Sequence, residues 1–220
     1  MHPGLVKSTG LVFDSERSLV EPPATVLHDK SRFKNHGTIT GATWIRLPSG
    51  LWYLAFDATD DVSKSFDMVF PSLTFELWYK GKPNDTARQF LIQLTHPITP
   101  GRRNCIQVAQ SDEAWGELPA NTLAFQSNTS GRHVKVTWDE AWSDRWIWIA
   151  ATCVGSVCEL FVNGNSVASE DIISREESHN SYIIGSITLG GIALPRIYRH
   201  ALSAGQIRKN FEGERHWFGV

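Results

Sequence analysis

The chain has 220 residues, with 21 Lys and Arg against 23 Asp and Glu, a formal net charge of −2, 41% hydrophobic and 20% charged residues. A near-neutral balance without a basic stripe excludes nucleic acid as the main partner, because phosphate neutralisation needs clustered cations, and the composition is globular rather than disordered. No apolar run approaches the roughly 20 residues of a membrane span, and the opening Met1-His2-Pro3-Gly4 segment lacks the apolar core of a secretory signal.

Period-2 alternation of apolar and polar residues dominates, the mark of half-buried strands. In chain order, strands are expected at 11–13, 37–39, 43–47, 52–56, 73–79, 89–95, 105–110, 122–126, 133–137, 146–154, 157–162, 186–189 and 192–198. Within 73–79, Leu73, Phe75, Leu77 and Tyr79 share one face, while Thr74, Glu76 and Trp78 share the other. Turn signals separate these runs at 48–50, 82–85, 99–101, 163–165 and 190–191. One helix is expected, N-capped by Ser203, running over 204–211 and stopped by Gly213. Many short strands with regular turns predict an all-β, two-sheet antiparallel β-sandwich with a short C-terminal helix. With no linker, repeat or charge run, residues 1–220 read as a single domain.

Three cysteines are too few and too odd in number for a small secreted disulfide framework. Cys153 and Cys158 flank a hairpin turning at Gly155-Ser156, which sets them directly opposite each other. The pair is either a cross-strand disulfide or two small residues on the core face. Cys105 is expected to be a buried free thiol.

Five segments, in order, carry a family resemblance. They are Asp29-x-Ser31 with Asn35-His36-Gly37-Thr38; Phe56-Asp57 with Asp60-Asp61; Phe75 to Lys80; Trp146 to Gly164 ending in Asn163-Gly164; and Ile197-Tyr198 with Ala201-Leu202-Ser203. The chain thereby resembles the laminin-G-like, concanavalin A-like lectin/glucanase superfamily in its bacterial, archaeal or phage branch. The resemblance implies a jelly roll. It also implies a structural calcium near the first two segments, with Asp29, Asn35, Asp57, Asp60 and Asp61 as ligands, since the ion takes about six to eight oxygens. The family's acidic pair before the last strand is replaced by Ile192-Ala193-Leu194-Pro195, and Asp29 and Asp57 read equally well as turn caps.

The superfamily holds lectins, adhesion domains, virion components, glucanases and lyases, so function must come from a site. Glycoside hydrolysis needs two carboxylates about 5–10 Å apart. The adjacent pairs Asp139-Glu140, Glu170-Asp171 and Glu176-Glu177 read as solvated loop charges instead. Of the nine tryptophans, Trp44, Trp52, Trp78, Trp146 and Trp148 fall inside strands, where sheet packing accounts for them. Trp115, Trp138 and Trp142 fall in polar loops, as anchors over the sandwich edge or as platforms for stacking sugars. Asp112, Asp139, His179 and Asn180 would accompany such a platform. The expected function is non-catalytic binding of a glycan or polysaccharide, outside a cell or on a virion. The alternative is a structural protein of a phage or virus particle that docks neighbouring subunits through its aromatic tail, His216-Trp217-Phe218. A hydrolase or lyase comes third.

Overall fold

The computed structural model describes residues 10–15, 18–81, 88–96, 103–109, 121–127, 133–172 and 177–220. Its strands are β1 (Leu11–Asp14), β2 (Val26–Leu27), β3 (Gly37–Thr40), β4 (Thr43–Arg46), β5 (Trp52–Asp57), β6 (Asp61–Val69), β7 (Ser72–Lys80) and β8 (Gln89–Thr95). They continue as β9 (Arg103–Ala109), β10 (Thr122–Ser127), β11 (His133–Thr137), β12 (Trp146–Val154), β13 (Val157–Val162), β14 (Asn165–Asp171), β15 (Ser178–Ser186) and β16 (Leu189–Tyr198). A 3-10 turn (Glu140–Trp142) precedes β12, and one helix, α1 (Ala204–Phe218), follows β16. Strand order is β14-β13-β12-β7-β16-β5-β4 in the first sheet, with β1 beside the end of β16. In the second it is β11-β10-β9-β8-β15-β6-β3-β2. The protein is an all-β antiparallel sandwich.

Alternation within each strand sets its inner face. In β12 and β13, Ile147, Ile149, Ala151, Cys153, Cys158, Leu160 and Val162 all enter the core between the sheets. Cys153 lies directly opposite Cys158, with Cα atoms 4.2 Å apart, and the two are joined by a disulfide. The core continues through Leu73, Phe75, Leu77 and Tyr79 of β7 and Ile106, Val108, Leu123 and Phe125 of the second sheet.

The outward face of the first sheet is not solvated. Trp78, Trp148, Ala150, Phe161, Ala193 and Tyr198 form a second apolar cluster with Ile207, Phe211 and Phe218 of α1. Phe218 stacks on Trp78 at 4.0 Å between ring centroids, and Phe211 lies against both Trp78 and Trp148. Each buried phenylalanine contributes about 1.5–3 kcal/mol by removal from water. The helix begins in a capping box between Ser203 and Gln206, as the sequence leads one to expect. It does not stop at Gly213. The apolar spacing through Phe218 outweighs the roughly 1 kcal/mol cost of one interior glycine, and the helix ends at Gly219, whose φ of 72° is the left-handed C-cap. The aromatic tail is thus the last turn of α1, packed on its own sheet.

At the centre of this interface lies a buried ionic cluster. Leu194-Pro195 interrupts the register between β16 and β7, and beyond the bulge Arg196 sits opposite Glu76. Arg196 is 1% exposed. Its guanidinium meets Asp14 at 3.1 Å, Glu76 at 3.3 Å and, most closely, Glu214 of α1. Asn210 donates to Glu76 Oε1 at 2.8 Å, Tyr198 to Glu76 Oε2 at 3.1 Å and Trp78 Nε1 to Glu214 Oε2 at 3.0 Å. Burial pushes the Glu76 carboxyl up to about 7, against the opposing pull of Arg196.

Five elements depart from the sequence reading, among them the two-residue β2 (Val26–Leu27), too short for alternation to mark. β6 and β14 were not expected, because Asp61–Val69 and Asn165–Asp171 are largely polar outward. The 174–181 stretch, expected as a loop, contains the start of β15. β16 begins at Leu189 and runs through Gly190-Gly191, expected as a turn. A Cβ on Gly190 would lie 2.2 Å from the Lys80 carbonyl oxygen, so glycine here serves close strand approach.

Replacing Arg196 with Met leaves buried carboxylates without their cation and should cost about 3–5 kcal/mol in urea unfolding. In the native chain, Glu76 keeps its proton to about pH 7, whereas the unfolded carboxyl loses it near 4.5. Its contribution to stability is therefore full below pH 4.5 and falls as pH rises from there to 7. Glu76→Gln should flatten the slope of unfolding free energy across that window relative to the parent.

Candidate functional site

The outward face of the second sheet has a different chemistry. Ile106, Val108, Leu123, Phe125 and Val134 point into the core, so alternation sends Arg103, Cys105, Gln107 and Ala109 of β9 outward, with Thr122, Ala124 and Gln126 of β10 and His133 and Lys135 of β11. Cross-strand register aligns these side chains in rows. Gln93, Cys105, Gln126 and His133 form one row, and Phe90, Gln107, Ala124 and Lys135 the next.

The rows are linked by hydrogen bonds. Arg103 Nη1 donates to Gln93 Oε1 at 3.3 Å, and its guanidinium lies 4.6 Å over the Phe90 ring. Gln107 Nε2 donates to Gln126 Oε1 at 3.1 Å. Ala109 and Ala124 form a small apolar patch of their own between the amides. Gln107, Cys105, Ala109 and Ala124 are fully buried and Gln93 nearly so, whereas Phe90, Arg103 and Gln126 are half-buried; Gln107 Oε1 meets no hydrogen-bond partner among the described residues. Burial pushes the Cys105 thiol up to about 12, so it is an inert neighbour rather than a nucleophile.

None of β8, β9, β10, β11 or β15 contains Asp or Glu. These strands therefore supply no paired carboxylates for glycoside hydrolysis. The carboxyls of Glu76 and Glu214 beside Arg196 are fully buried under α1.

Of the residues expected to form a site, the described ones do not come together around one pocket. Trp115 and Asp112 lie outside the described residues, as do the turns expected at 82–85 and 99–101. Trp138 is 4% exposed. Its Nε1 donates to Ser143 Oγ and its ring packs edge-on to Tyr79 and Trp142. Trp138 is an anchor, because the loop is pinned by Trp138 N–H to Asn121 O and Asp144 N–H to Gly81 O. Trp142 is half-buried against the core. Asp139 is exposed and caps the 3-10 turn through Ala141 N–H. His179 is fully buried within β15. Its Nε2 contacts the Asn104 amide at 2.7 Å, its Nδ1 lies 3.3 Å from Thr95 O and its ring packs against Phe70. Asn180, half-buried beside it, accepts from Thr95 Oγ1. Among the described residues, no tryptophan is fully exposed.

The five expected calcium ligands fall into two groups. The Asp29 carboxylate, 1% exposed, already accepts from Asp14 N–H, Ser31 N–H, Ser31 Oγ–H and Asn35 N–H, all within 2.9 Å. Asn35 Nδ2 donates to Val12 O. The Asp-x-Ser…Asn motif thus ties its own loop to β1. Asp57 accepts from Thr59 N–H and Oγ–H, and Asp60 accepts from Asp57 N–H. Asp61 retains one buried oxygen without a partner among the described residues. The groups lie at opposite ends of β3, where Leu27 pairs with Gly37 and Asp61 with Thr40, roughly 10 Å apart at strand rise. One ion needs its ligands within about 2.6 Å, so these five do not fit a single calcium. Among the described residues, no group of three or more His, Cys, Asp or Glu has metal-holding geometry.

Sequence reasoning missed Gln93, Arg103, Gln107 and Gln126. The available signal was glutamine recurring at the polar phase of three strands, but only pairing order places those strands side by side.

No protein-family model matches the sequence. No curated protein matches it either. Solved structures do. The binding domain of Paraclostridial Mosquitocidal Protein 1 superposes with a TM-score of 0.66 at 15% identity, over 92% of this chain and 52% of that one. The botulinum neurotoxin serotype G binding domain gives 0.62 at 12%, over 84% and 48%. The binding domain of botulinum neurotoxin DC in complex with SialylT gives 0.64 at 10%, over 93% and 51%. The chain spans about half the length of these neighbours, and at such identities the likeness establishes the fold, a two-sheet β-sandwich.

Because Asp29 is saturated by hydrogen bonds from the protein, excess EDTA followed by added calcium should leave the melting temperature unchanged. A drop with EDTA, reversed by calcium, would show an ion contributing to stability.

Proposed function

We propose that this chain is a non-catalytic carbohydrate-recognition module of the laminin-G-like, concanavalin A-like type, binding glycans across the outward face of its second sheet. The observation that carries the reading is the outer layer of that sheet, where half-buried Phe90, Arg103 and Gln126 flank buried Gln93 and Gln107, on strands that hold no carboxylate. Amides present a donor and an acceptor in one plane, matching vicinal sugar hydroxyls, and a ring such as Phe90 offers an apolar face to sugar C–H groups. The fold-level neighbours are binding domains, one of them in complex with SialylT, which supports a binding role without specifying a sugar. The Cys153–Cys158 disulfide favours an oxidising location, outside a cell or on a virion surface.

A glycan array probed with the full chain should return a defined set of binders. Gln126→Ala and Arg103→Ala should each weaken the best of them about tenfold, the equivalent of one lost polar contact at about 1.4 kcal/mol; each also leaves a buried glutamine without a partner, so binding is compared at a temperature where circular dichroism shows the variants folded. Absence of binding to every glycan, or binding indifferent to both substitutions, would sink this reading.

A further inference from the structure

At the rim of the sandwich, four segments of the chain line a cleft of about 330 Å³, through Gly10, Arg32, Phe33, Pro71, Arg199 and His200. Gly10 precedes β1, Arg32 and Phe33 belong to the turn after Ser31, Pro71 joins β6 to β7, and Arg199-His200 follows β16. Among the described residues, none that lines it is acidic.

The two arginines differ from others in the chain. Arg196, Arg208 and Arg215 are each paired with carboxylates. Arg199 is anchored by Nε–H to Val69 O at 3.0 Å and by its backbone N–H to Gly10 O at 2.7 Å, and its Nη1 and Nη2 meet no acceptor among the described residues. The Arg32 guanidinium lies 4.8 Å over the Phe33 ring; the residue is exposed and has no carboxylate partner among the described residues. The His200 imidazole stands edge-on to Tyr198 at 5.6 Å and makes no hydrogen bond among the described residues. It sits where a Cβ on Gly10 would fall 2.3 Å from Nδ1, so the glycine leaves room for the ring.

We infer that this cleft holds the oxyanion of an acidic sugar, a carboxylate or a sulfate ester carried on a glycan. Two guanidiniums with unused N–H groups suit a planar or tetrahedral oxyanion, to which they make paired, charge-assisted hydrogen bonds. Phe33 and Pro71 supply the apolar edge for the ring that carries it. The volume lies at the small end of the range for small-molecule sites, about 300–1,000 Å³, and so fits one sugar unit. The inference rests on the glycan reading above and specifies a substrate class for it, at a place separate from the amide face.

The full chain is titrated calorimetrically with sialyllactose, with a sulfated disaccharide, with the neutral counterpart of each and with inorganic sulfate. The same titrations follow for Arg32→Ala and Arg199→Gln. At least one acidic sugar should bind about tenfold or more tightly than its neutral form, and each substitution should weaken that ligand about tenfold. Whether the carboxylate or the sulfate ester prevails identifies the source of the oxyanion. Arg32 is tied to no backbone group, so Arg32→Ala reports on binding even if Arg199→Gln lowers the melting temperature. Equal binding of acidic and neutral sugars, or acidic binding untouched by Arg32→Ala, overturns the cleft while glycan recognition stands. Binding of inorganic sulfate with no sugar bound overturns the glycan reading and this inference together.

Discussion

The architecture turns on one buried cation. Arg196 draws Asp14 of β1, Glu76 of β7 and Glu214 of α1 to a single guanidinium, joining both ends of the chain to the middle of the first sheet. Three carboxyls and one cation make an excess of acid, and burial answers it by favouring the protonated form of Glu76. A purely apolar interface of this size would hold the helix as well or better, because burying ions carries a desolvation cost. What the cluster adds is direction. Asn210 and Glu214 can reach Glu76 and Arg196 only when α1 lies in one register over β7 and β16.

Fixing α1 there divides the outward surfaces of the sandwich. On the first sheet, Trp78 and Trp148 are committed to Phe211 and Phe218, and the aromatic face that would make a sugar platform becomes a second core. On the second sheet, the outward positions carry glutamine, threonine, histidine and arginine in register, with two alanines between them. Most of these side chains are buried, with Phe90, Arg103 and Gln126 half-buried among them, and the arginine-lined cleft sits at the rim where β6 and β16 end and β7 begins.

Much of the fold is legible in the residues. The β12–β13 hairpin, its inner face, its two-residue turn and the opposition of Cys153 to Cys158 follow from a period of two and a Gly-Ser pair. The Ser203 cap is equally local. The polar strands β6 and β14 were hidden because their outward residues are Ser, Lys, Asp and Glu, and only Val62, Phe66 and Met68 mark an inward face on β6. The tryptophans were readable as strand or loop residues. Whether Trp138 faced a ligand or the core depended on Asn121 and Gly81, which hold its loop from other strands.

The sequence by itself determined the class of the protein, since alternation and turn chemistry act over a few residues and specify a sandwich whatever the strand order. The tertiary structure alone decided where chemistry gathers. Gln93, Gln107 and Gln126 become neighbours through β8-β9-β10 pairing, and Arg32 and Arg199, far apart in the chain, line one cleft. Asp29, which reads as a metal ligand in its motif, turns out to be filled by four protein donors. The physical reason is common to all three. A side chain's chemistry depends on what surrounds it, and those surroundings come from parts of the chain that local pattern does not connect.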